Sequence, residues 1–64
     1  MNKEKLAIYF GLKSDKELKS ELKLSDLRAI FEELKGSKVL VHYSKSEFIS
    51  RIRGRIQDGN YLFS

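Results

Sequence analysis

The apolar residues of this chain recur at helical spacing in several places, each bounded by a polar or glycine stop. Leu6, Tyr9 and Phe10 fall at i, i+3 and i+4. That is one face of a short helix, opened by an Asn2 cap and ended at Gly11. Ser14-Asp15-Lys16-Glu17 then reads as a capping box, in which the hydroxyl takes the N–H three residues on and Glu17 reaches back to the cap. It predicts a second short helix with Leu18 and Leu22 on its inner side. In the third place Leu27, Ile30, Phe31 and Leu34 complete an apolar stripe at i, i+3, i+4 and i+7. Ser25-Asp26 opens this helix and Gly36 closes it, with Asp26 and Lys35 at the ends where the helix dipole favours them.

Between Ser37 and Tyr43 the period changes. Val39 and Val41, and the alternation around them, favour extended backbone. No second run of similar character exists to pair with it, so the segment reads as a structured connection. Ser44-Lys45-Ser46-Glu47 is a second capping box, and Tyr43 with Phe48 has the spacing of a hydrophobic staple. The last helix carries Phe48, Ile49, Ile52 and Ile56 within an arc of about 100°. Arg51 and Arg55 form one flank of that arc and Arg53 the other, while Gly54 lies opposite. A glycine inside a helix costs about 1 kcal/mol relative to alanine, so the helix ends there or a backbone approaches closely. Asp58-Gly59-Asn60 is a turn or breaker, and Tyr61-Leu62-Phe63 is an apolar end that folds back on the core or stays loose. The fold class is mainly α: one domain over 1–64, a small bundle of three to four short helices with an extended connection before the last. Residues 1–23 hold the N-terminal helices, 24–56 a helix–extended–helix unit, and 57–64 a tail.

Composition narrows the chemistry. With 64 residues the core is small, and with no Cys neither a disulfide nor a thiolate zinc site can brace it. Three Tyr, four Phe and 41% hydrophobic residues argue against intrinsic disorder. No apolar run reaches the roughly 18–20 residues of a membrane span. The polar start Met1-Asn2-Lys3-Glu4-Lys5 does not lead into a signal-peptide core, so a cytoplasmic location without a membrane partner is expected.

Charge is distributed unevenly. The net +4 comes from 13 Lys and Arg against 9 Asp and Glu. Residues 1–34 balance seven bases with seven acids, whereas 35–55 set Lys35, Lys38, Lys45, Arg51, Arg53 and Arg55 against Glu47 alone, a net of +5. A local positive field of this kind meets polyanions, although a solvated basic face without a partner has the same composition.

Catalytic equipment is scarce. His42 is the single imidazole, so neither a His pair nor a His/Cys set exists for a metal. Glu32 and Glu33 are helix neighbours that do not face each other. The four glycines are scattered and build no phosphate-cradling loop. We expect no enzyme, no cofactor, no metal and no small-molecule substrate.

Residues 24–53 place a helix, an extended connection and a capped basic helix in series. The first helix begins Leu24-Ser25-Asp26-Leu27-Arg28-Ala29-Ile30-Phe31, and the second runs from Lys45 to Ile52 as K-x-E-F-I-x-R-I. This segment resembles the helix–extended–helix modules grouped with SAP domains and the N-terminal region of the Rho termination factor, whose second helix has Leu where Phe48 stands. The resemblance implies DNA or RNA binding through the extended loop and the start of the second helix, or, as in LEM-type relatives, protein binding. The connection Gly36–Tyr43 departs from that pattern, being longer, more apolar, and without a glycine ahead of Ser44-Lys45.

Two functions follow as expectations. The first is a nucleic-acid-binding module, DNA foremost, in which Lys38, Ser44, Lys45, Arg51 and Arg55 contact phosphates with little base readout. The second is a protein-interaction domain, an adaptor, inhibitor or regulatory protein. It would use Val39, Val41, Tyr61 and Phe63, and an acidic surface on its partner would suit the same basic stretch.

Overall fold

In the computed structural model residues 3–58 are described. They form four helices and no strand: α1 (Lys3–Leu12), α2 (Asp15–Glu21), α3 (Leu24–Lys35) and α4 (Lys45–Asp58). The mainly helical class expected from the pattern is the one observed, and residues 37–44 between α3 and α4 form neither helix nor strand, as a structured connection would.

Each boundary has a local cause. Ser14 caps α2: its Oγ accepts from the Glu17 N–H at 3.2 Å, and Glu17 accepts from the Ser14 N–H at 3.0 Å, the full capping box. The helix α3 begins at Leu24, ahead of the expected Ser25-Asp26, because Asp26 reaches back as the third helical residue and accepts from the Lys23 N–H at 3.0 Å. Gly36 closes α3 with φ at 83°, in the left-handed region that glycine enters without steric penalty, and its N–H returns to the Glu32 carbonyl at 2.8 Å. Ser44 caps α4 through its hydroxyl, which accepts from the Glu47 N–H at 3.3 Å.

Two glycine expectations are corrected. Gly11 does not end α1, which continues to Leu12, and Gly54 neither ends α4 nor meets another backbone. A Cβ placed at either position would meet no atom within 4 Å. Each stays helical because the flanking turns are held by packing, which outweighs a propensity cost of about 1 kcal/mol.

Every helix and the connection contribute to one core: Leu6 and Phe10, Leu18, Leu27 and Phe31, Val39, then Phe48, Ile49 and Ile52. Tyr9, Leu22, Ile30, Leu34, Tyr43 and Ile56 pack around it half-buried. The last helix is the hub, lying against both α3 and α2. The staple is formed: Tyr43 and Phe48 meet edge to face at 5.4 Å, and Phe31 completes a three-ring cluster at 6.0 Å from Phe48 and 6.4 Å from Tyr43. By contrast α1 is apolar on both sides: Leu6 and Phe10 face in while Ile8 and Leu12 are exposed.

Polar contacts fasten α1 to its neighbours. Tyr9 donates to Glu21 Oε1 at 3.1 Å and Lys13 pairs with Glu21 Oε2 at 2.9 Å, joining α1 to α2. The Lys13 ammonium holds the Glu21 carboxyl below its ordinary range, and Glu21 in turn raises Lys13. Desolvation, then the bond to Glu21, raises the Tyr9 phenol. Backbone and side-chain bonds at Ser14 lower Glu17.

Candidate nucleic-acid interface

Arginine is used in two different ways. Arg53 points back across the bundle: its Nε bonds Asp15 at 2.9 Å, and its two Nη atoms bond the carbonyls of Phe10 and Lys13, each at 2.7 Å. A planar fork with five donors suits three acceptors at a helix end. This arginine is a strut between α4 and the α1–α2 corner, consistent with its place on the opposite flank from Arg51 and Arg55.

Arg51 and Arg55 lie on the other flank, over the ring cluster. The Arg51 guanidinium is 4.3 Å from the Tyr43 centroid and pairs with Glu47 at 3.0 Å, one turn back. Arg55 is 5.6 Å from the Phe31 centroid. From α3, Arg28 comes within 5.5 Å of the Phe48 centroid. Three guanidiniums thus surround three rings in mutual contact. Stacking on ring faces orients an arginine side chain and leaves its N–H edge able to meet an anion.

The connection is held by α3 rather than by a second strand. Arg28 donates through one Nη to the Val39 carbonyl and through the other to the Val41 carbonyl at 3.2 Å. Its guanidinium also lies 3.4 Å from His42 Nδ1. From the next turn, Glu32 accepts from the Val39 N–H at 2.9 Å. Backbone outside helices and sheets still needs partners for its N–H and C=O groups, and these two side chains supply three of them, at the Val39 N–H and the Val39 and Val41 carbonyls.

The five expected phosphate-contacting residues are therefore differently employed. Lys38 is exposed on the connection. Ser44 spends its hydroxyl on the α4 cap. The Lys45 ammonium donates to the Lys19 carbonyl at 2.9 Å, so it caps the C-terminal turn of α2 from across the bundle. Arg51 and Arg55 share the ring cluster, the closest grouping among the five. Of the expected apolar interface residues, Val41 is exposed, and Tyr61 and Phe63 lie outside the described residues. Val39 is corrected: it is 4% exposed and belongs to the core, drawn in by the bonds that Arg28 and Glu32 make to its backbone.

No family model, curated protein or solved structure matches this chain. Among the described residues no three His, Cys, Asp or Glu side chains gather into a set that could hold a metal, and no helix is long and apolar enough to cross a membrane.

Arg28 is the residue that sequence pattern alone passed over. It stands beside Leu27 on the edge of the α3 stripe, ahead of a connection whose carbonyls have no strand to bond. An arginine on a stripe edge, followed by unpaired extended backbone, is the signal that could have singled it out.

Proposed function

We propose that this chain is a small binding module, not an enzyme, and that its partner is a nucleic acid gripped mainly through the phosphate backbone, with duplex DNA the first choice. The observation that carries this reading is the concentration of charge: residues 35–55 hold a net +5 while the first 34 are neutral. Lys38 is exposed on the connection, and Arg51 and Arg55 lie over the ring cluster on the flank of α4, so these three cations are the ones this reading uses. The likeness to SAP-type helix–extended–helix modules supports the same choice of surface. Lys45 and Arg53 enter this reading mainly as struts, because Lys45 donates to the Lys19 carbonyl of α2 and Arg53 to Asp15 and the carbonyls of Phe10 and Lys13, which fixes both side chains against the bundle.

The test is duplex binding by fluorescence anisotropy over a salt series. Three phosphate contacts give a slope of log K against log salt of about −2.7 for B-DNA, and Lys38→Ala reduces the slope by about 1 at unchanged stability. Binding that is indifferent to salt would refute the reading. Lys45→Ala is the control. It lowers the melting temperature by freeing the Lys19 carbonyl, and changes the slope little.

A second reading, a protein-interaction domain, is favoured by one observation: Ile8 and Leu12 stand 60% and 79% exposed on the outer side of α1. Paired apolar residues one turn apart form a helix-docking ridge. A sample that stays monomeric at high concentration, with the Ile8 and Leu12 methyl resonances unmoved by added protein, would count against it.

A further inference from the structure

Resting on the nucleic-acid reading above, we propose that Leu40 is a wedge that enters the minor groove of duplex DNA and parts a base step.

The geometry is unusual for an exposed leucine. Leu40 is 85% exposed, yet the carbonyls immediately before and after it are both held by the two Nη atoms of Arg28. The residue before it is anchored twice more, by the buried Val39 side chain and by Glu32 on the Val39 N–H. Exposed leucines are common, and one on an unrestrained loop samples many orientations. Leu40 is instead presented outward on backbone fixed on either side, which removes the ordering cost that a mobile loop would meet on binding.

The surroundings select the partner. Two residues before Leu40 stands Lys38 and two after stands His42, both exposed, with the Arg28 guanidinium behind. Two carboxylates of this region are engaged, Glu32 with the Val39 N–H and Glu47 with Arg51, while Glu33 is exposed on α3. The apolar tip is only Leu40 and the half-exposed Val41 wide. The centre of a protein–protein interface is depleted in charge and broader than this. An exposed apolar side chain on a segment with a net +5 over residues 35–55, with Lys38 two residues away, matches a minor groove, where leucine and similar residues insert between bases while basic groups of the same protein hold the phosphates.

The experiment uses the full chain with a short duplex carrying 2-aminopurine at a central T-A step, the kind of step that unstacks most readily, and a dye at each end. Wild-type binding raises the 2-aminopurine fluorescence and draws the ends together, as a kink of about 20–90° would. Leu40→Ala abolishes both signals while keeping affinity within about tenfold, because phosphate contacts supply most of it. Circular dichroism shows this variant folded, since Leu40 lies outside the core. Lys38→Ala weakens binding but still gives the full fluorescence rise at saturation.

Wild-type binding without unstacking, or a Leu40→Ala protein that unstacks as well as wild type, overturns the wedge and leaves backbone binding standing. Absence of duplex binding at low salt overturns both. Self-association of the chain that Leu40→Ala abolishes makes the tip a protein contact and likewise overturns the wedge.

Discussion

Arg53 offers the sharpest test of how this small core is braced. Replacing it with Met keeps the aliphatic stem over the core and removes only the guanidinium. Three bonds are lost, to Asp15, the Phe10 carbonyl and the Lys13 carbonyl. The Asp15 pair is largely a surface one, since the aspartate side chain is 64% exposed, and contributes about 0.5 kcal/mol. The two carbonyl bonds are part-buried and charge-assisted. The Phe10 carbonyl also lies in the last turn of α1, where no intrahelical donor reaches it. Water can take over part of each, leaving a net loss of about 1 kcal/mol per bond. The total is about 2–3 kcal/mol, in a domain of this length expected to have only about 3–10 kcal/mol of stability. Urea unfolding followed by circular dichroism should show a lower midpoint at an unchanged slope. The melting temperature should fall by roughly 10–20 °C. Arg53→Lys recovers less than half of the loss, because one ammonium cannot meet three divergent acceptors. A loss below about 0.5 kcal/mol for Arg53→Met, within the range of an ordinary surface substitution, or full stability for Arg53→Lys, would refute the strut.

Three further outcomes follow from the same contacts. Gly54→Ala stabilises by about 1 kcal/mol in thermal melts, since the added methyl group meets open space and the helical backbone is already formed. Arg28→Met raises amide hydrogen exchange across Val39–Tyr43 selectively and costs about 1–3 kcal/mol, as two carbonyls of the connection lose their donor; unchanged exchange there would contradict the anchoring described. Glu17 and Glu21 are both lowered relative to an unfolded chain, so their contribution is present above the ordinary carboxylate range and disappears as pH falls through their folded values. Acid titration of Glu17→Gln should accordingly show a smaller loss of stability than wild type, and an identical loss would contradict the Ser14 capping box as its source.

What could be read from sequence divides along sequence separation. The Ser14–Glu17 box, the Tyr43–Phe48 staple, the Gly36 terminator and the apolar stripes are all relations within a turn or two, and each appears as expected. The misread positions depend on partners far along the chain. Gly11 looked like a stop because the distant Arg53, which satisfies carbonyls at that end of α1, is invisible to local pattern. The bond from Lys45 to the Lys19 carbonyl, provided by another helix, is likewise beyond local pattern. Val39, Leu40 and Val41 are equally apolar as letters. Which of them enters the core is decided by Glu32 and Arg28 holding backbone atoms on the next element. At the candidate interface the grouping of Arg51 with Arg55 was legible from their one-turn spacing. Their place on a shared ring cluster required Phe31, Tyr43 and Phe48 to be brought together by the fold.

The proposal that a neutral helical base carries a cationic binding face is tested most directly by an amide correlation-spectrum titration of the labelled chain with a short duplex at two salt concentrations. Shifts confined to Lys38–Arg55 and the adjoining Arg28, present at low salt and largely lost at physiological salt, are the predicted result. Shifts centred on α1, or none at either concentration, would contradict it.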